Sequence, residues 1–181
     1  MEEIEVPTEH LQEEINEKAE GKKEEARERW TLYVALSTAF MAVLAAIAGL
    51  IAGHHSNEAL IDIVRASDQW SYYQAKGIKS EVAGSTSQIL AALKVDSKSS
   101  ASDLARYSKE KEDIKTQAEK YEASSESHLN KHVTLAKSVT IFQIAIAISA
   151  IAIITRRKPL WYIGMAFTGV GLIFLIWGLL L

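Results

Sequence analysis

The sequence predicts an all-α integral membrane protein with three transmembrane helices and a long extramembrane antiparallel helical hairpin. Three observations carry that fold class. Charged residues crowd positions 1–31 and 54–137, while the stretches 32–53, 138–155 and 160–181 carry none, so an overall hydrophobic content of 48% conceals a sharp segregation. Pro7 and Pro159 are the only prolines, which leaves long helices as the default. Apolar or small residues recur at steps of three and four on both sides of a serine-rich stretch near the middle of the chain, as two paired helices require.

Residues 1–30 form a Glu-rich N-terminal helix or leader, with eleven Glu against five Lys/Arg between positions 2 and 29. Thr8 is read as the helix cap. The apolar stripe of Leu11, Ile15, Ala19 and Ala26 is too narrow to hold a helix alone in water. With no apolar core before Thr31, this segment is not expected to be a cleaved signal peptide.

The first span is 31–53, roughly 34 Å long at the helical rise of 1.5 Å per residue. Trp30 and Tyr33 sit where an interfacial aromatic belt lies. Ala35, Ala39, Ala42, Ala46, Gly49 and Gly53 make one seam of small residues, a surface along which helix backbones can approach in lipid. The seven-residue period continues through Ile63, Trp70, Gly77 and Gly84.

Residues 54–137 are read as the hairpin, with its turn near 94–101 and Ser100-x-x-Asp103 as the cap of the second helix. Folding it there places Leu90 opposite Leu104, Gly84 opposite Tyr107, Ile78 opposite Ile114 and Trp70 opposite Tyr121. Arg65 and Asp68 are spaced for an i, i+3 ion pair. Tyr72, Tyr73 and Val82 are left needing cover from a further helix, expected from a second subunit. The second span is 138–155, with a small seam at Ala145, Ser149 and Ala152. A basic loop, 156–159, leads into the third span, 160–181, where Gly164, Gly171 and Gly178 stand seven apart.

Basic residues orient the spans. Lys22, Lys23, Arg27 and Arg29 precede the first, and Arg156, Arg157 and Lys158 join the second to the third. Three spans place both groups on one side, the cytoplasmic one. The hairpin and the C-terminus then lie on the outer, periplasmic side of a bacterial inner membrane. The hairpin's charges balance at twelve of each sign, so they do not oppose export.

Four of the five histidines gather near one membrane surface. His54 and His55 leave the first span, and His128 and His132 approach the second. The expected register sets His132 against Leu60–Asp62 and His128 against Val64–Arg65. Glu58 and Asp62 lie one and two turns beyond His54. Imidazoles four apart share a helix face, and carboxylates could complete a divalent-metal site from His54, His55, Glu58, Asp62, His128 and His132. The alternatives are a proton-responsive cluster or interfacial histidines that simply hydrogen-bond Glu58, Asp62 or headgroups.

The chemistry otherwise excluded is broad. With no cysteine there are no disulfides, thiolate sites or cysteine nucleophiles. A net charge of -3 gives no electrostatic footprint for nucleic acid. There is no HExxH, phosphate loop or GxSxG, and no charge lies within a span core, where proton pathways place one. No catalytic residue, no enzymatic activity and, beyond the metal considered above, no cofactor are expected.

GHHSNEALIDIVRASDQWSYYQAKGIK, with the later TRRKPLWY, resembles a bacterial membrane family known as domain of unknown function number 4337. The likeness extends to the VPTEHLQE leader, the second helix and two closing spans. It implies a membrane protein with three spans and brings no catalytic residue or ligand. The function expected is that of a structural or interaction protein in the lipid bilayer, self-associating into a homo-oligomer through its small-residue seams. An oligomeric pore and a histidine-based metal-binding accessory protein are the alternatives.

Overall fold

The structure, a computed structural model, describes residues 8–95 and 98–181, with side chains for 14–95, 100 and 102–181. The described residues form three helices and no strand: α1 (Thr8–Ala92), α2 (Lys98–Thr155) and α3 (Lys158–Leu180). Each contains a stretch long and apolar enough to cross a membrane.

The links are shorter than the sequence predicts. α2 begins at Lys98, so Ser100 lies inside its first turn and does not cap it; the capping position, 97, is outside the described residues. α3 begins at Lys158, which leaves only Arg156 and Arg157 between helices and puts Pro159 in the first turn, where its missing N–H costs nothing. α1 and α2 end alike. At the end of α1, Lys94 takes φ 59°, its N–H donates to Ala91 O and that of Val95 to Leu90 O. At the end of α2, Arg156 takes φ 54°, its N–H donates to Ile153 O and that of Arg157 to Ala152 O. Both are Schellman closures with a basic residue where glycine is usual.

Two compact units divide the chain. The first comprises Met1–Ala48 and Lys137–Leu175. Its core is Val34, Met41 and Ala48 from α1, Ser138, Phe142, Ala145, Ser149 and Ala152 from α2, and Thr168 and Leu175 from α3. The glycines of α3 admit large or closely approaching neighbours. A Cβ built on Gly164 would stand 2.6 Å from Ser149 Oγ and 3.1 Å from Ala145 O; one on Gly171 would stand 2.9 Å from the Phe142 ring. Hydroxyls keep this apolar interior satisfied: Ser138 donates to Gly171 O (3.0 Å), Ser149 to Ala145 O (2.8 Å) and Thr168 to Gly164 O (2.9 Å). The Trp161 indole donates to Ser37 Oγ at 3.1 Å. The seam of Ala35, Ala39, Ala42 and Ala46 is exposed; Val34 and Met41, one position away, are the residues that turn inward.

The second unit comprises Gly49–Ala136 and Ile176–Leu181. Ala52, Ala59 and Ala66 are its buried α1 alanines, seven apart, with Asp62 buried beside them, and Ile114, Ala118 and Leu135 face the core from α2. As numbers rise along α1 from Ala52 to Gly84, partners on α2 fall from His132 to Leu104. The pairing departs from the expected one by an amount that varies along the helices, from one residue at Trp70 to about two turns at His132. Gly84 meets Leu104, not Tyr107, Gly77 meets Lys111, and Ile78 is exposed while Ile114 is buried. The Trp70 indole donates to Glu122 at 2.8 Å, next to the expected Tyr121. Lys76 pairs with Glu110 and lies over the rings of Tyr72 and Tyr107.

Candidate histidine site

α1 and α2 approach closely in the second unit because alanines on α1 meet hydroxyls on α2. Ser125 donates to the carbonyl of the buried Ala59 at 2.8 Å. This approach brings His55 and His128 together, Nδ1 to Nδ1, at 2.9 Å with ring centroids 5.2 Å apart. His54 lies beside His55, with centroids 5.5 Å apart. Farther along α2, His132 Nδ1 is 2.8 Å from Ala52 O. A carbonyl only accepts, so His132 carries its proton on Nδ1 and leaves Nε2 with the lone pair when neutral.

The carboxylates are placed otherwise. Asp62 is buried away from the imidazoles, accepting the Ser124 hydroxyl at 2.6 Å and pairing with Arg65 at 3.3 Å. Arg65 therefore pairs three residues back with Asp62 in place of Asp68. Glu58 is half-buried and acts on His55 only through its charge. Of the six residues singled out by the sequence, the structure brings His54, His55 and His128 together. His132 is bound to the backbone, and Asp62 and Glu58 stand apart from ring contacts. No group of three or more His, Asp or Glu among the described residues is arranged to hold a metal ion.

The paired Nδ1 atoms can share one proton: one ring donates and the other accepts. Protons on both Nδ1 atoms would set two N–H donors against each other, and charging both rings would set like charges side by side. The His55 imidazole is held below its usual range, first by burial, then by the charges of His128, Lys131 and His54, against an opposing pull from Glu58. A depressed imidazole contributes stability that is present above its unfolded value of 6.5 and lost as pH falls through the folded value. Unfolding midpoints measured between about pH 8 and pH 5 should therefore drop on the acid side. His128→Gln should lessen that dependence without abolishing it, because burial, the largest cause, remains; an unchanged profile would remove the pair as a contributor.

Ser125 lies on the three-and-four period of the second helix, but neither its bond to Ala59 O nor that of Ser124 to Asp62 is predicted from the sequence. Their signal was two adjacent serines near the seam of a helix whose partner offers Ala59 and Asp62.

No curated protein and no solved structure matches the chain. The family described as Domain of unknown function (DUF4337) matches residues 30–181, a range that takes in all three apolar stretches and the histidines at 54, 55, 128 and 132, and the chain belongs to that family.

Proposed function

We propose that this protein is a non-catalytic structural or interaction component of a bacterial inner membrane, built to self-associate. In this reading residues 31–53, 138–155 and 160–181 span the bilayer, and residues 54–137 form a hairpin on the outer side. The observation that carries self-association is an apolar stripe on the part of α1 that also bears Arg65, Asp68, Lys76 and Glu81. Ile61, Val64, Tyr72, Ile78, Val82 and Ile89 follow one another at near-helical spacing and are 43–64% exposed. In water such a stripe favours burial, and a second copy offers the same stripe in return. The exposed small-residue seam of the first span supports the same reading within lipid. The topology draws support from one cleft of the first unit, where Lys23 and Arg27 share the lining with Arg156 and Lys158, as expected if both basic groups face the cytoplasm.

The test is the mass of the detergent-extracted particle, protein component only. A multiple of the 20.0 kDa chain is expected, and Ile78→Lys with Val82→Lys should reduce it to one chain with helicity unchanged. A monomeric parent at every concentration would overturn the proposal. A ring with a wetted lumen would direct it toward the pore alternative, and stoichiometric metal lost on His128→Gln toward the accessory one.

A further inference from the structure

We infer that the cleft between the N-terminal part of α1 and the start of α3 binds a phosphate group. Lys23, Ala26, Arg27 and Trp30 fall on one face of α1, at helical spacing, and line a cavity of about 310 Å³ with Arg156 and Lys158. Four cations thus surround a volume large enough for a phosphate ester. Among the described residues none of the four is ion-paired: the salt bridges of this chain involve other lysines and arginines. Glu24 and Glu28, which share the helix, line a separate cleft with Arg27.

A second observation points to a ligand. The Trp30 indole N–H is buried and has no hydrogen-bond acceptor. Buried donors are nearly always satisfied, and an orphan beside a cavity marks an unfilled acceptor position. α3 starts at Lys158, so the positive end of a 23-residue helix adds to the field on the same cleft. The required ligand carries negative charge, presents several acceptor oxygens and takes donors from more than one direction. Phosphate has that chemistry, and guanidinium groups match its geometry in pairs. The source is either an anionic phospholipid headgroup, at the level where Trp30 begins the first apolar stretch, or a free phosphate. The lipid source rests on the membrane reading above; neither source depends on self-association.

The experiment uses the full chain in phosphatidylcholine nanodiscs doped with phosphatidylglycerol, with bound lipid counted by native mass spectrometry and inorganic phosphate titrated as competitor. Selective retention of phosphatidylglycerol over phosphatidylcholine is expected. Arg27→Gln with Arg156→Gln should weaken it about tenfold or more, and Trp30→Phe, which keeps the ring and removes the donor, by several-fold. Lys22→Gln, a control on the same helix outside the cleft, should leave retention unchanged. Displacement by inorganic phosphate assigns the site to free phosphate, and resistance assigns it to the lipid. Equal retention of the two lipids with no phosphate binding, or equal effects of Lys22→Gln and the cleft variants, would overturn the proposal. The particle mass is read from the same spectra, so loss of phosphate binding with an intact oligomer separates this failure from that of the self-association reading.

Discussion

Replacing Gly164 with leucine should separate α3 from α2 in the first unit. The smallest addition already collides: a Cβ there stands 2.6 Å from Ser149 Oγ and 3.1 Å from Ala145 O. The hydroxyl can rotate, at the loss of its bond to Ala145 O, but the carbonyl belongs to helix backbone and moves only if α2 moves. Leucine adds a branched side chain to the same gap. Overpacking of this kind costs about 1–3 kcal/mol. Gly171 and Gly178 are expected to be somewhat more forgiving, because the close atoms there are chiefly side-chain atoms of Phe142 and Leu135. Gly169 provides the control, since nothing lies within 4 Å of a Cβ built on it. Denaturation of the detergent-solubilised protein followed by helicity should show a large loss for Gly164→Leu and little change for Gly169→Leu. Equal stability of the two variants would mean that α2 and α3 do not approach as described.

The second large effect is expected at Asp62. Its carboxylate is buried among α1 and α2 atoms and satisfied by Ser124 at 2.6 Å and Arg65 at 3.3 Å. Asp62→Ala removes both bonds and strands the Ser124 hydroxyl in a half-buried position, a loss of about 1–3 kcal/mol. Most of that belongs to the serine bond, because the Arg65 side chain is 55% exposed and a screened surface pair contributes little. Asp62→Asn keeps an acceptor of the same shape for Ser124 and should recover a large part of the stability. The Asp62→Ala and Ser124→Ala double mutant should be little worse than Asp62→Ala alone, since the two groups act as one interaction. Strict additivity of the two single variants would show that they do not.

The helical class was legible because charge segregation and scarce prolines permit little else. The α3 glycines were legible too: at steps of seven they share a face, and Gly164 and Gly171 do meet Ser149 and Phe142. The α1–α2 pairing was less so. A seam rich in serine, glutamine and lysine does not hold one register firmly, and the expected turn over 94–101 overstated the link. With α1 ending at Ala92 and α2 starting at Lys98, His132 reaches Ala52 and not Leu60–Asp62. The histidine set changed with it: His55 and His128 were drawn together while Asp62 was left to Ser124. The face of α1 turned inward was ambiguous for another reason. Ala35, Ala42 and Gly49 run beside Val34, Met41 and Ala48, and helical period alone does not say which row serves the chain itself.

The brevity of the α2–α3 link has a consequence for alignment. Glycines spaced by seven can be matched to a facing helix in more than one way. A slide of one heptad would set Gly164 against Phe142, a pairing of the kind that Gly171 already makes. The repeat specifies a surface but not an offset. The offset is specified by Arg156 and Arg157, whose closed turn leaves no slack for α3 to slip. The two residues between the helices act as a ruler, turning a pattern that fits several alignments into one that fits a single alignment.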